Sequence, residues 1–188
     1  MRILVDILHP AHFHRFKYFL QMLQGNGDDV LIVARNKEVV FRQLQRYGFS
    51  YVDTGVLGGS LFGRVGEYFR RIVRVLRVAK QFQPDVMIGG DGFTIGPVGK
   101  ILGIPSVTVA DTEDIGFLST ITWPVVDSIV TPYCFEKDFG KKQTRFYGFF
   151  ELAYLHALYF TPDPKVLDEL GVKGGEPYFV LRFGSWGS

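Results

Sequence analysis

One cysteine, Cys134, stands in 188 residues, so no intramolecular disulfide can form, and the sequence is read as that of a protein from a reducing, cytoplasmic compartment. No uninterrupted apolar run reaches the roughly 18 residues that a membrane-spanning helix needs. The opening MRILVDILHP has no apolar signal core followed by small residues, so no secretion signal is expected. Acidic residues are scarce in the front half: residues 1–84 hold 13 Lys/Arg against 6 Asp/Glu, whereas residues 85–188 hold 8 against 13. A basic front half suits an anionic partner such as phosphate or a membrane surface, although surface drift produces the same asymmetry. Several nucleotide motifs are absent too. There is no G-x-G-x-x-G after the first apolar run, no G-x-x-x-x-G-K-[ST] and no G-x-S-x-G, which sets aside dinucleotide-binding, P-loop and serine-hydrolase readings.

What is present is an apolar fraction of 47%, enough for a substantial core, and 18 Phe with 9 Tyr, more than a core requires. That surplus hints at an apolar surface in use. β-Branched apolar runs alternate with helical spacing. Strands are expected at Ile3–Leu8, Val30–Ala34, Ser50–Asp53, Asp85–Ile88, Pro105–Ala110, Asp127–Thr131 and Thr144–Tyr147. Between them come helical patterns around Phe16–Leu23, Val39–Tyr47, Arg64–Gln81 and Gly96–Leu102, broken by glycine or proline. Such alternation predicts an α/β fold, a Rossmann-like doubly wound parallel sheet. Residues 1–160 are read as this domain. Residues 161–188 are read as a linker, a short helix at Lys165–Leu170 and a new strand at Tyr178–Phe183, the opening of a second domain.

Ligands in such sheets sit beyond the carboxyl ends of the strands, near the reversal of strand order. Two connections belong there, His9–His14 after strand one and Gly89–Thr94 after strand four. His9, His12 and His14 are three of the four histidines; an imidazole near neutral pH can act as base for a sugar hydroxyl, with His12 the preferred member. Metal binding is the rival, disfavoured by the lack of a Cys or a fourth ligand, and capping of the helix is the plain alternative. Gly89, Gly90 and Gly92 expose backbone amides around Asp91, while Asp111, Thr112, Glu113 and Asp114 follow strand five on the same rim. Acids there can bind hydroxyls, hold a cation or trade protons; capping by Asp111, Thr112 or Asp114, with a solvated Glu113, is the alternative.

The Arg64–Gln81 helix places Val65, Phe69, Ile72, Val73, Leu76 and Ala79 on one face and Arg70, Arg74 and Arg77 on another, with Arg71 beside them and Glu67 its only acid. Scarce pairing suggests contact with anionic lipid or lipid phosphate, and Leu57, Leu61 and Phe62 in front could dip into a membrane. Packing against the sheet with solvated charges would produce the same pattern. Aromatics are not interleaved with this stripe in a nucleic-acid reader motif, so no nucleic-acid partner is expected.

The stretches His9-Pro10-Ala11-His12 with Phe16, Phe82–Val86, Gly103–Ser106, Asp111-Thr112-Glu113, Gly148–His156 and Tyr178–Trp186 together make the chain resemble the domain of unknown function 354 family. That family is similar to the GT-B class, with relatives among peptidoglycan N-acetylglucosaminyltransferases and non-hydrolysing UDP-N-acetylglucosamine 2-epimerases. The resemblance implies the N-terminal domain of a GT-B-type fold, which receives the acceptor. A second domain would grip the nucleotide sugar, so the half described by this sequence would be inactive alone. The implied activity is transfer of a sugar from a nucleoside diphosphate to an acceptor, lipid-linked or otherwise, in surface polysaccharide or glycolipid synthesis at the inner face of the membrane. His12 is then an approximate counterpart of a histidine near the acceptor, with no cofactor and no metal required. The epimerase resemblance instead matches Gly90-Asp91 and Glu113 to acids that shuttle protons. A membrane-peripheral binding module without catalysis is the third reading.

Overall fold

The computed structural model describes residues 1–56, 61–113, 121–173 and 175–183. Leu57 and Asp114 lie outside the described residues, as do the side chains of Leu61 and Phe62. Contacts divide the chain into two compact units, Met1–His156 and the residues from Ala157 on.

The first unit runs β1 (Arg2–Ile7), α1 (Pro10–Gly25), β2 (Asp29–Ala34), α2 (Glu38–Arg46), β3 (Tyr51–Asp53), α3 (Leu61–Phe82), β4 (Val86–Gly89), α4 (Ile95–Leu102), β5 (Ser106–Val109), β6 (Ser128–Pro132), β7 (Gln143–Phe146) and α5 (Leu152–Leu155). All seven strands expected within this unit are present, displaced by at most one residue at their ends. All seven pair in parallel, in the order β3-β2-β1-β4-β5-β6-β7. The order reverses between β1 and β4, whose following loops leave in opposite directions and open a crevice at the carboxyl edge.

The two-residue period of β1 assigns its side chains to the two layers. Ile3, Val5 and Ile7 join Phe13, Phe16, Leu20 and Leu23 of α1, with Val40 and Leu44 of α2, in one buried cluster. Leu4 faces the other way, with Ile72, Val75 and Ala79 of α3 and Ile95 and Val98 of α4. Asp6 shares the Leu4 face, so a carboxylate is driven into the α3 layer. Arg71 meets it there: its guanidinium bonds the Asp6 carboxylate and the Thr54 hydroxyl, while Nε donates to Thr94 Oγ1 at 3.1 Å. Asp6 and Arg71 are only 2% and 3% exposed. Desolvating such a pair is tolerable because every arm of the fork has an acceptor.

This corrects the reading of α3. Arg71 belongs to the buried face, and the helix is turned so that Val65, Phe69 and Val73 are exposed while Ile72, Val75 and Ala79 pack. Apolar residues cover more than half of the helix circumference, so spacing alone does not say which arc meets the sheet. Glu67 also pairs more than its solitude suggests, with Arg70 at 3.2 Å and Arg74 at 2.7 Å, and Arg74 further donates to Thr54 O at 2.9 Å. Arg74 is thus committed to the loop after β3, whereas Arg77 is exposed.

In the second unit a short helix, α6 (Lys165–Glu169), forms. The strand expected at Tyr178–Phe183 does not: residues 178–183 are exposed and carry no strand. A strand is held by ladder bonds to a neighbour, and no described residue supplies them.

Replacing Arg71 by Ala strands the Asp6 carboxylate in the core, and urea unfolding is expected to show a loss of about 3–5 kcal/mol. Arg77→Ala, on the exposed arc of the same helix, is expected to change stability by less than about 0.5 kcal/mol.

Candidate functional site

β1 delivers the chain to His9, which caps α1: its Nδ1 accepts from Ala11 N at 3.3 Å, and Pro10 fits the first helical position. One turn on, His12 points back to the strand end and is buried, with Nδ1 accepting from Leu8 N at 3.4 Å. A neutral imidazole that accepts at Nδ1 carries its proton on Nε2. That nitrogen lies 3.6 Å from Asp91 Oδ2, beyond a normal hydrogen bond but facing it.

Gly90 makes this placement possible. A Cβ there would sit inside the His12 ring, within 2.5 Å of Nδ1. The loop is tied down from β5, whose Thr108 hydroxyl donates to Gly90 O at 2.7 Å. Gly92 turns the chain at φ 72°, where a side chain would be strained and would press on Val126. The glycines after β4 therefore shape the loop around His12 and Asp91. Gly89, last in β4, lies against Asp6 and Ile95.

Burial sets the protonation states. It pushes His12 down from 6.5 to about 3, with the neighbouring Arg15 cation adding to the effect, so the ring is neutral at physiological pH. Burial raises Asp91, opposed by Arg15, His9 and Arg35 and reinforced by Asp111. The Asp91 side chain keeps 30% of its surface open to solvent, so it can be reached. A carboxylate pushed above its ordinary range and facing an N–H is a proton acceptor in the making.

Three residues along α1 from His12, Arg15 shares its face. Arg15 ion-pairs with Asp111, donates to Val109 O at 3.0 Å, and lies over the Phe150 ring at 4.6 Å. Asp111 is the acid after β5 that joins this side of the lip, and Thr112 Oγ1 donates to it at 3.3 Å. Glu113 is engaged elsewhere: its Oε1 accepts from Glu136 N at 3.0 Å and its carbonyl from Lys137 Nζ at 2.7 Å. His14 also lies apart. It follows His12 by two residues, roughly half a helical turn, and meets Gln43 Nε2 at 2.8 Å and the Tyr154 ring. The structure thus gathers His9, His12 and Asp91, and leaves Glu113 and His14 in other company. Among the described residues, no three His, Cys, Asp or Glu side chains gather as metal ligands would.

Sequence reading passed over Arg15 and Asp111 as a pair. The i, i+3 step from His12 to Arg15 was the available signal; its partner, 96 residues on, had none.

A seven-stranded parallel sheet in this order is Rossmann-like, and its fold is that of the GT-B-type domain found in glycosyltransferases and UDP-GlcNAc 2-epimerases. Residues 1–185 match the family described as "Protein of unknown function (DUF354)", and the chain belongs to it. An uncharacterised protein of Methanocaldococcus jannaschii is 24% identical over 186 residues, 95% of this chain and 54% of that protein. The UDP-N-acetylglucosamine–N-acetylmuramyl-(pentapeptide) pyrophosphoryl-undecaprenol N-acetylglucosamine transferase of Halothermothrix orenii is 24% identical over 63% of this chain and 34% of its own length. Among solved structures, MurG of Acinetobacter baumannii superimposes with a TM-score of 0.64 at 15% identity, covering 77% of this chain and 45% of MurG. The spinosyn rhamnosyltransferase SpnG gives 0.55 at 18% identity, over 70% of this chain and 45% of SpnG. The UDP-GlcNAc 2-epimerase of M. jannaschii gives 0.54 at 16%, over 70% and 39%. The chain spans about half the length of the first relative and a third of the second.

Gly90→Ala forces the His12 ring out of its seat, and a loss of about 1–3 kcal/mol is expected by chemical denaturation. In a His12→Ala background the same methyl should cost far less, because the space it needs is then empty. Stability should also depend on pH through His12. The unfolded chain takes up a proton below about 6.5 and the folded one only near 3, so stability is full above 6.5 and falls as pH drops towards 3. Between pH 6.5 and 5, where few carboxylates titrate, His12→Gln is expected to flatten the denaturation profile.

Proposed function

We propose that this chain is the acceptor-binding half of a GT-B glycosyltransferase, which moves a sugar from a nucleoside diphosphate to a hydroxyl of a lipid-linked acceptor in surface polysaccharide or glycolipid synthesis. The observation that carries the reading is the His12–Asp91 pair at the strand-order reversal, where the Nε2 proton of a neutral buried imidazole faces an accessible carboxylate.

In this mechanism Asp91 is the base. The acceptor hydroxyl enters the lip beside Asp91 Oδ2. As its oxygen bonds to the anomeric carbon, the sugar–phosphate C–O bond breaks and its electron pair leaves with the nucleoside diphosphate. The hydroxyl proton passes to Asp91. His12 acts as positioning donor: with Nδ1 taken by Leu8 N–H, it has no free lone pair to accept that proton. Its neutral Nε2–H can still steady the carboxylate without the charge that would lower its basicity. Arg15, neutralised by Asp111, supports the lip from the β5 side. No step draws on a cofactor or a metal ion, and the nucleotide sugar is the substrate.

The exposed arc of α3 supports presentation of the acceptor at a membrane. Val65, Phe69 and Val73 form an exposed apolar stripe, Phe69 61% open, with Arg70, Arg77 and Lys80 exposed on the same helix. An apolar stripe bordered by cations is what an interfacial helix offers to anionic lipid. No helix among the described residues is long and apolar enough to cross a membrane. Surface contact therefore rests on this arc. It includes Arg70 and Arg77 but draws little from Arg74, which Glu67 and Thr54 occupy.

The epimerase reading requires two proton-shuttling acids, and Glu113 is bound to the Glu136 amide while Asp91 stands near His12. The transferase reading needs one base and is preferred.

With the full-length protein, Asp91→Asn is expected to lower kcat for sugar transfer by about 10²–10⁴ with donor binding retained in calorimetry. Failure to bind any UDP, GDP or CMP sugar would defeat the reading, and solvent deuterium appearing at the sugar carbon next to the anomeric centre would favour epimerisation. Flotation on anionic vesicles should fall when Phe69→Glu and Arg77→Glu are combined and be unchanged by the same pair on neutral vesicles.

A further inference from the structure

The lip has a second concentration of polar groups, on the β2 side. Arg35 follows β2 directly and Lys37 precedes the first turn of α2; His9 caps α1 beyond the adjacent end of β1, where Ile7 pairs with Ala34 and Arg35 N donates to Ile7 O at 3.0 Å. Arg35 and Lys37 are half-buried. The acids near them other than Asp91 are already engaged. Asp6 pairs with Arg71, and Glu67 with Arg70 and Arg74. Asp53 accepts from Asn36 Nδ2 at 3.0 Å and from Gly55 N at 2.7 Å. Asp91 faces His12. Among the described residues, neither the Arg35 guanidinium nor the Lys37 ammonium has a hydrogen bond or an ion pair.

The two cations and the imidazole act on one another. Arg35 is lowered by burial and then by Arg71, Lys37 by burial and then by Arg35, and His9 by burial and then by Lys37. Arg35 and Lys37 are each desolvated beside a like charge, and His9 is held neutral. Because His9 Nδ1 accepts from Ala11 N–H, its Nε2 bears the proton and is a donor. The side chain of Lys37 makes no capping bond to the first amides of α2, which open on the same edge. Donors thus outnumber acceptors here, with Asp91 the one acid left open to them, a deficit that bound oxygen atoms of negative charge would fill.

We propose that His9, Arg35 and Lys37 form a binding site for an oxyanion, a phosphate or carboxylate group carried by the acceptor. That the anion belongs to the acceptor rests on the transferase reading; the site itself does not. Asp91 repels a second negative charge, so the anionic group lies towards β2 and the uncharged hydroxyl towards Asp91. The site then selects an acidic acceptor over a neutral one and fixes which hydroxyl reaches the base. Phosphate and carboxylate share this chemistry and differ in geometry, a tetrahedral tripod against a planar fork.

The test is titration of the chain with methyl phosphate and, separately, with acetate, followed by amide chemical shifts at low salt. Saturable binding with shifts at residues 9, 35 and 37 is expected, weakened roughly tenfold or more in Arg35→Gln and in Lys37→Gln. Arg42→Gln, which removes an exposed cation paired with Glu38 on α2, should leave affinity unchanged. Tighter binding of methyl phosphate assigns the source as a phosphate, and tighter binding of acetate a carboxylate. Absence of saturable binding by either probe overturns the site, as does equal affinity in Lys37→Gln, a surface change that leaves the fold intact. Because no sugar donor is used, anion binding alongside absent transfer by the full-length protein keeps the site and removes the transferase reading. Anion binding lost in Arg35→Gln with transfer unaltered overturns the link to the acceptor.

Discussion

The imidazole of His12 occupies the space that any side chain at position 90 would fill, and the crevice is organised around that exchange. Burial against the loop after β4 removes water from the ring and holds it neutral. The amide of Leu8 takes its lone pair, so its proton faces Asp91. A glycine, a strand-end amide and a desolvated ring together decide which member of the pair gives a proton and which receives one. The same burial leaves the Asp91 carboxylate less acidic and reachable.

Beneath the lip the Asp6–Arg71 pair performs a different task. It joins the end of β1 to α3, and through Thr54 and Thr94 it also anchors the loops after β3 and β4. The loop after β4, which bears the candidate group Asp91, is thus held by a buried polar network. The parallel order of the sheet brings its members together, because Asp6 sits on the α3 side by the pleat of β1.

The succession of strands and helices was legible in the sequence because each strand is a short apolar run bounded by glycine, proline or polar residues, as in Val30–Ala34 and Pro105–Ala110. The loops after strands one and four were legible for the same reason, and with them His12, Asp91 and Gly90. What escaped depended on long-range pairing. Arg71 reads as one more cation on a basic helix until Asp6, 65 residues earlier, is seen opposite. Glu113 and Asp111 are two residues apart in the chain, and only the turn after β5 decides that Asp111 meets Arg15 while Glu113 meets the Glu136 amide. The tautomer of His12 was likewise hidden, because the group that sets it is a backbone N–H. A histidine read as a base from its position is, in its surroundings, a donor.

The most direct test of this account is the state of the His12 ring, followed by long-range nitrogen–proton NMR of the histidine-labelled protein at pH 5. A neutral ring with its proton on Nε2 is the predicted result, since burial holds its pKa near 3 while an ordinary imidazole would be mostly charged at that pH. A doubly protonated ring, or a neutral one with the proton on Nδ1, would contradict the assignment of Asp91 as the proton acceptor.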